Sequence, residues 1–594
     1  MKRDGEETAA KISGATFKRI LVFFKGHTKA LIFATLTVVL GVALNAALPL
    51  VFREMIDKAI PEATRSGMLE KVLVFAVAYL SILILLGAIQ YFQQLVIGYM
   101  GIDIVNNIKR VLLRHILTLS ISFFDKHGTG RLISRIESDS QKLYMMFSSI
   151  GLSLLGGFLN IIIAVSIMLF TNVKLTLIVL SISPVYLLGA YIVFSKMRPM
   201  FRKDRELYSR IIGFLSEHIK AIPLLRNLNN LDWSIRKFDK VNQDKRWYEF
   251  KISIMEQSVW FVMMLCPQVV IYLILYNSID WIKAGTISIG TVWMFIQYIH
   301  LAVQPLVMIS EQIRELQRAF GAGDKIFEIL DTVPEVKETD RPVKVDGFMH
   351  RIEFKNVSFH YDSEKPVLKN ISFTIDKGSS VAIVGATGSG KTTIISLLTR
   401  FYDPVEGSIT IDGVDLRDMD MKELRSMMSL VLQDIFLFPG DIMDNLRVLR
   451  KDIPEEKVIE ASKKMGIYNY LSDFPQGFKT VLSEDGGNLS FGERQLLSFS
   501  RALTFEPEIL IMDEATSSID PYTEAEIQRS MEKLLKGRTS IIIAHRLSTI
   551  EEADKIIVLD RGELVEQGSH DELINLKGLY ANLYWTQTGI AKRD

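Results

Sequence analysis

The sequence has very little cysteine and almost no net charge, which argues against internal disulfides and against a nucleic-acid partner. Cys266 is the single cysteine in 594 residues, so no disulfide can form within the chain. The formal net charge is +1, which gives no electrostatic argument for nucleic acid as a partner. Residues 1–29 lack an uninterrupted apolar core with a cleavage site. We therefore predict no internal disulfide, no nucleic-acid partner and no cleaved signal peptide.

Charge is also missing from long stretches of the first 310 residues, whereas residues 320–594 have an ordinary soluble α/β composition. A helix needs about 20 apolar residues to cross a bilayer. Uncharged runs of this kind occupy six ranges, namely 30–52, 72–102, 143–173, 175–195, 257–280 and 284–310. We therefore predict six transmembrane helices in an integral, multi-pass protein of the inner or plasma membrane.

Two connections between these runs are long and basic, at 103–142 and 196–256, while the others are short and poor in lysine and arginine. Because basic connections stay in the cytoplasm, we expect these two and both termini to be cytoplasmic. Both are largely periodic, so we predict helical extensions that form two hairpins beyond the membrane. The alternative is a pair of solvated loops, but structureless loops of this length are uncommon.

Charged groups that could relay protons are missing from the runs. His300 is the clearest ionisable residue inside them. It is a candidate for contact with a substrate, although hydrogen bonding between helices would also explain it. We therefore look for the energy source outside the membrane half.

A glycine-rich loop follows the apolar, β-branched run 381–384 in the C-terminal half. Its pattern is G-x-x-x-x-G-K-T, in which the glycines let backbone N–H groups turn toward a β-phosphate at the start of the next helix. The lysine of the pattern reaches the β- and γ-phosphates, and the threonine hydroxyl suits Mg²⁺. We predict that ATP and Mg²⁺ bind at Gly385, Ala386, Thr387, Gly388, Ser389, Gly390, Lys391, Thr392 and Thr393.

A second apolar run, 509–512, ends in two acidic residues. Asp513 is at the tip of the predicted strand, where it would hold Mg²⁺ through a coordinated water. Glu514 lies one residue further and would polarise water for attack on the γ-phosphate. Ser490 and Gly492 stand at a predicted helix start, which suits phosphate contact; a plain helix cap explains them about as well.

Together these motifs resemble the ATP-binding cassette (ABC) superfamily, and the six preceding runs resemble its exporter-type half-transporters. The resemblance covers nearly the whole chain. It implies that Tyr361 stacks on adenine, and that Gln433 links the γ-phosphate and Mg²⁺ to the membrane half. It also implies that His545 contacts the γ-phosphate and that Asp520 lies in a loop crossing to a partner subunit.

The same resemblance implies that residues 483–486 meet the cytoplasmic hairpins, and that the breaks at 124–131 and 222–230 are two coupling helices. The fold class is then a membrane all-α domain with six transmembrane helices and long cytoplasmic helical extensions, followed by an α/β P-loop ATPase domain. We place the domains at 1–29 (cytoplasmic N-terminus with an amphipathic elbow helix), 30–320 (transmembrane domain), 321–350 (linker) and 351–594 (nucleotide-binding domain).

Two ATPase domains pair head to tail in this family, so the resemblance implies a second half-transporter chain. The usual helix start is L-S-G-G-Q, but this chain has Phe491 and Glu493 at the third and fifth positions. A phenylalanine could obstruct the approach to a phosphate, and a carboxylate near an anion is unfavourable unless it points away. Glu514 is intact. This combination resembles the pattern of heterodimeric exporters, and the resemblance implies a heterodimer with one catalytic and one degenerate ATP site in preference to a homodimer.

We therefore expect a translocase that uses ATP hydrolysis to export a small hydrophobic or amphipathic substrate, such as a drug or lipid, across the bilayer. An ATP-gated channel or regulator on the same scaffold is the first alternative, and an importer is the second. The apolar spans do not identify the substrate.

Overall fold

The structure is a computed structural model that describes residues 14–588 except residues 182, 363–364, 434, 473, 475, 484–485, 514–527, 530, 533, 536 and 544–549. The chain divides into two compact units. The first extends to Leu117 and resumes over Thr129–Thr332. The second consists of Thr118–Gly128 together with the chain from Val333 onward. The second unit is therefore built from two separate stretches of sequence.

The first unit contains only helices and short connections among its described residues. The α-helices from the N-terminus to Leu330 are α1 Gly14–Val22, α2 Thr28–Glu54, α3 Ile60–Ser66, α4 Glu70–Thr118, α5 Ile121–Lys126, α6 Thr129–Ser134, α7 Ser140–Met145, α8 Gly151–Thr171, α9 Val173–Leu180, α10 Ser183–Ile192, α11 Arg198–Lys220, α12 Ile222–Asn227, α13 Leu231–Lys283 and α14 Ile289–Leu330. Of these, α5 belongs to the second unit. Four π-helical turns join some of them, at Met55–Ala59, Arg135–Asp139, Met146–Ile150 and Val193–Met197.

Among the described residues, four helical stretches are long and apolar enough to cross a membrane, compared with the six predicted. They are Lys25–Ser66, Glu70–Thr118, Thr129–Thr171 and Leu231–Lys283. The predicted run 284–310 lies in α14. The run 175–195 contains the described helices α9 and α10, and Pro184, which has no N–H to donate, stands at the start of α10.

Helices also run through both basic connections, as predicted from their periodicity. The first connection is helical up to Thr118, breaks around the short α5, and resumes at Thr129. The second contains α11 and the start of the 53-residue α13, separated by α12. The connection between the third and fourth runs is a short turn, since Asn172 separates α8 from α9 and its Oδ1 accepts a hydrogen bond from the Leu175 N–H at 3.0 Å.

The predicted amphipathic helix near the N-terminus is α1. Its buried side packs on the last turns of α14: Ile20 is buried and its Cδ1 would lie 3.4 Å from a Cβ placed on Gly323. The Arg19 guanidinium donates to both carboxylate oxygens of Asp331, at 2.6 and 2.8 Å. Sequence periodicity indicated an apolar face, and part of that face is covered by α14.

The remainder of the second unit, from Val333, is an α/β domain. Its strands are β1 Arg351–Phe359, β2 Leu368–Asp376, β3 Ser380–Gly385, β4 Glu406–Ile411, β5 Val414–Asp415, β6 Met428–Val431, β7 Gly440–Asp441, β8 Val481–Leu482, β9 Ile509–Asp513, β10 Thr539–Ile543, β11 Lys555–Asp560 and β12 Glu563–Gly568. Its described α-helices are α15 Lys391–Leu398, α16 Met421–Met427, α17 Ile442–Leu446, α18 Glu455–Met465, α19 Tyr468–Ser472, α20 Phe491–Thr504, α21 His570–Asn575 and α22 Leu579–Thr588.

A six-stranded sheet carries the motifs, in the order β12-β11-β3-β10-β9-β6. The five strands from β11 to β6 are parallel, and β12 is antiparallel to β11. The central strands are almost wholly buried, as expected for a parallel sheet covered on both faces. Because parallel strands end at one edge, the residues following β3, β6, β9 and β10 meet at the same side of the sheet.

Candidate functional site

The glycine-rich loop joins the end of β3 to the start of α15, and its glycines are required by space as well as by conformation. Gly388 has a φ of +82°, a region that favours glycine. A Cβ on Gly390 would lie 2.5 Å from Leu368 Cδ2, and one on Gly385 would lie 2.3 Å from the Leu559 carbonyl oxygen. No residue other than glycine therefore fits these two positions without moving its neighbours.

Two polar features of this loop are not satisfied by described side chains, namely the Ser389 hydroxyl and the start of α15. Ser389 is only 3% exposed, and its Oγ finds no hydrogen-bond partner among the described residues. Gly390, the residue before α15, supplies no side-chain cap for the first N–H groups of that helix. A buried hydroxyl and uncapped helix N–H groups in a glycine cradle fit a phosphate group, which accepts hydrogen bonds.

Lys391 is the first residue of α15 and is buried, with 7% exposed. Its Nζ folds back onto the loop and donates to the carbonyl oxygens of Gly385 at 2.8 Å and Ala386 at 3.1 Å. Burial lowers the pKa of the Lys391 ammonium below its usual value, and the charge of Asp513 opposes that shift. The cation is therefore held at the mouth of the loop by acceptors that a phosphate could replace.

Asp513 and Gln433 lie at the same edge of the sheet as the loop. Asp513 ends β9 and pairs with Ile543 of β10, the strand beside β3. Gln433 follows β6, whose last residue Val431 pairs with Met512. Asp513 and Gln433 line one small cavity of about 10 Å³, together with Gln495 of α20. The structure thus brings together Lys391, Asp513 and Gln433 from three separate motifs.

Tyr361, the predicted adenine platform, has a half-exposed ring just after β1. Its hydroxyl lies 3.2 Å from Thr393 Oγ1 on α15. Its ring meets those of Phe359 and Tyr402 edge-on, with centroids 4.9 and 5.0 Å away. The Tyr361 side chain therefore contacts α15, the helix that follows the phosphate loop, and two neighbouring aromatic rings.

The second predicted phosphate contact, at Ser490, has a different geometry. Ser490 caps α20 in a capping box: its N–H donates to Glu493 Oε2 at 2.7 Å, and the Glu493 N–H donates to Ser490 Oγ at 3.3 Å. The hydroxyl of Tyr470 donates to the other Glu493 oxygen. Gly492 is buried beside these groups, and no hydrogen bond between described residues joins Ser490 or Gly492 to the Lys391 loop. The helix cap is therefore present, and contact of Ser490 and Gly492 with a phosphate stays a prediction.

Thr392 is the exposed second residue of α15. Glu514, Asp520 and His545 lie outside the described residues, as do Glu484 and Asp485. Their predicted roles stay predictions. The described strands nevertheless end close to two of them: β9 ends at Asp513, immediately before Glu514, and β10 ends at Ile543, two positions before His545.

Two contacts were missed by sequence reasoning. The Tyr470 hydroxyl binds Glu493, 23 positions away, and the Tyr402 hydroxyl binds Asp125, 277 positions away. Burial first, and then the carboxylate partner, raises the pKa of both phenols, so each hydroxyl stays protonated and donates. Neither tyrosine belongs to a local pattern that indicates such a partner.

Comparison with known families places the two halves of the chain. Residues 31–306 match the family model of the ABC transporter transmembrane region. Residues 368–517 match the ABC transporter model of the ATP-binding domain. The second match begins at β2 and includes the Lys391 loop, Gln433, Ser490 and Asp513.

Full-length relatives give the same result. YknV of Bacillus subtilis, described as an ABC transporter ATP-binding protein, is 34% identical over 96% of this chain and 94% of its own. The Bacillus subtilis protein named "Putative multidrug export ATP-binding/permease protein YgaD" is 32% identical over 96% of this chain and 99% of its own. A Staphylococcus aureus protein of the same printed description is 33% identical, with the same coverage. The chain therefore belongs to the ABC transporter family as an exporter-type half-transporter, an integral membrane protein whose ATPase domain is coupled to transport.

Proposed function

We propose that the chain is the hydrolysing half of a heterodimeric exporter for hydrophobic or amphipathic molecules. In this proposal ATP binding and hydrolysis drive the substrate across the membrane by alternating access. The printed names of relatives such as YgaD, which refer to multidrug export, support the substrate class. The basic connections at 103–142 and 196–256, with both termini, lie in the cytoplasm, in accordance with their charge.

Within the chain's own ATP site, the residues divide into three tasks. Lys391 and the loop N–H groups hold the β- and γ-phosphates, and Tyr361 carries the adenine. Thr392, Asp513 and Gln433 would hold Mg²⁺, which would neutralise phosphate charge when bound. Glu514 accepts a proton from the attacking water and His545 contacts the γ-phosphate. The buried Ser389 hydroxyl and the uncapped start of α15 support this assignment.

The helix start at Ser490, with Gly492 and the loop of Asp520, serves the ATP site of the partner chain. The observation that carries the heterodimer proposal is the position of Glu493. Its carboxylate is bound by the Ser490 N–H at 2.7 Å and by the Tyr470 hydroxyl, so it occupies a donor at the helix start with negative charge. Phe491, which follows Ser490, is 37% exposed at the first position of α20. An anionic, partly obstructed helix start suits a site that holds ATP without hydrolysing it.

Purification of the tagged chain from its native membrane tests the partner. We expect a second, different half-transporter chain in equal amount, and ATP hydrolysis by the complex. Recovery of copies of the tagged chain alone, with full ATPase activity, would contradict the heterodimer and support a homodimer.

Inverted vesicles containing the complex test the direction and class of transport. We expect ATP-dependent accumulation of a hydrophobic dye inside the vesicles, and none after Glu514→Gln. Ionic current without accumulation would instead support an ATP-gated channel.

A further inference from the structure

The short helix α5 belongs to the second unit, although it lies between segments of the first in sequence. Ser120, just before α5, accepts a hydrogen bond from the Val336 N–H at 2.9 Å. Lys126, its last residue, donates to Glu335 at 2.9 Å. The nearby Ser122 hydroxyl first, and then the Lys126 ammonium, hold the pKa of the Glu335 carboxyl below its usual range. These contacts fix α5 to the stretch that leads into the ATPase domain.

A third contact joins α5 to the ATPase domain itself. The Tyr402 hydroxyl, four residues after the end of α15, donates to Asp125 on α5. The Tyr402 ring also meets the Tyr361 ring edge-on, with an interplanar angle of 87°. One tyrosine thus contacts the adenine platform with its ring and α5 with its hydroxyl.

We propose that Tyr402 is a positioning residue that reports occupancy of the adenine platform to α5. This inference rests on the proposed function, because it assumes that Tyr361 carries the base. A base stacked on Tyr361 restricts that ring, the edge-on contact restricts Tyr402, and the hydroxyl then holds Asp125 in one place. The signal comes from the base end of the nucleotide and is separate from any signal that Gln433 receives from the phosphates.

The Tyr402 hydroxyl should transmit the effect of nucleotide binding to α5 more strongly than the neighbouring Lys126–Glu335 ion pair. Lys126 and Glu335 are both more than half exposed, and exposed ion pairs contribute little because water screens them. Tyr402 is more buried, and its bond to a carboxylate is charge-assisted. Removing the Tyr402 hydroxyl should therefore weaken the response of α5 more than removing the Lys126 charge.

Hydrogen–deuterium exchange on the intact complex tests the proposal. The complex is compared with and without a saturating, non-hydrolysable ATP analogue plus Mg²⁺, and exchange is measured in peptides covering 118–128. We expect the analogue to slow exchange there in the unaltered complex. In Tyr402→Phe, which keeps the ring, the slowing should fall by about tenfold, as expected for loss of a charge-assisted hydrogen bond.

Three further variants sharpen the test. Tyr584→Phe is the matched control, because the Tyr584 hydroxyl also donates to a carboxylate, Glu551, at 2.6 Å in the same domain. It should leave the response of 118–128 unchanged. Asp125→Asn keeps an acceptor oxygen but loses the negative charge, so it should retain part of the response, whereas Asp125→Ala should lose it.

The outcomes separate this inference from the proposed function. An undiminished response in both Tyr402→Phe and Asp125→Ala would overturn the inference even if the complex hydrolyses ATP. Absence of hydrolysis in the unaltered complex would overturn the proposed function, while the exchange response to the bound analogue would still decide the role of Tyr402.

Discussion

The starts of α15 and α20 both contain glycine and serine, but they differ in which hydrogen-bonding groups remain unpartnered among the described residues. At α15 the glycines exclude side chains, the Ser389 hydroxyl has no partner among the described residues, and the helix is uncapped. At α20 the corresponding serine is engaged in a complete capping box. Glycine and serine before a helix therefore occur in two arrangements: at α15 the helix start is left open within the chain, and at α20 it is closed by the chain's own side chains.

The largest effect should come from Glu514→Gln, which removes the proposed general base for hydrolysis of the ATP bound at the α15 site. Loss of a general base typically lowers a rate by about 10²- to 10⁴-fold, while binding survives. We expect ATPase activity of the complex to fall by this amount, with nucleotide affinity within about threefold of the original. Steady-state hydrolysis and equilibrium nucleotide binding measure the two. Glu506→Gln, at an exposed ion pair with Lys457, is the control and should change neither.

The next largest effect should come from Gly390→Ala, which closes the cradle. The added Cβ would lie 2.5 Å from Leu368 Cδ2, and overpacking of this kind costs about 1–3 kcal/mol. We expect ATP affinity to fall about tenfold or more. Gly378→Ala is a matched control, because Gly378 also has a positive φ, +81°, but nothing lies within 4 Å of its would-be Cβ. Equal losses in both variants would show that strain, and not the cradle, is responsible.

Glu493→Gln tests whether the negative charge at the start of α20 weakens ATP binding at the partner's site. The amide keeps the shape and an acceptor for the Ser490 N–H but removes the negative charge near the partner's nucleotide. Reduced repulsion should tighten ATP binding at that site by about three- to tenfold in the heterodimer. Nucleotide trapping in a complex whose other site carries Glu514→Gln measures this site. Glu460→Gln, an exposed charge on α18 paired with Lys464, should have no effect.

The smallest effect should come from Tyr470→Phe. Removing one hydrogen bond to the Glu493 carboxylate should lower the free energy of unfolding of the ATPase domain by about 1 kcal/mol. Thermal unfolding of the complex, followed at the domain's transition, provides the measurement. Tyr468→Phe on the same helix is the control, because no hydrogen bond of its hydroxyl to a described residue is found.

Much of the fold and the α15 site could be predicted because the signals are local. The predicted strands 381–384 and 509–512 correspond to β3 and β9, and the loop with Lys391 follows β3 as the pattern requires. The backbone of such a loop is dictated by its own glycines. A motif of nine consecutive residues therefore carries most of its own geometry.

The contacts that could not be predicted are those between distant residues. Nothing near Tyr402 indicates a partner 277 positions earlier, because the contact depends on how α5 and the ATPase domain pack.

The Asp125–Tyr402 contact also sets an order of events during synthesis. At about 5–20 residues per second, Tyr402 leaves the ribosome roughly 14–55 s after Asp125, and the later strands of its sheet follow still later. Throughout that interval α5 is present without the surface it binds. A newly made chain therefore carries an unfinished docking segment until the ATPase domain has folded, and quality control could recognise it as the last part to be completed.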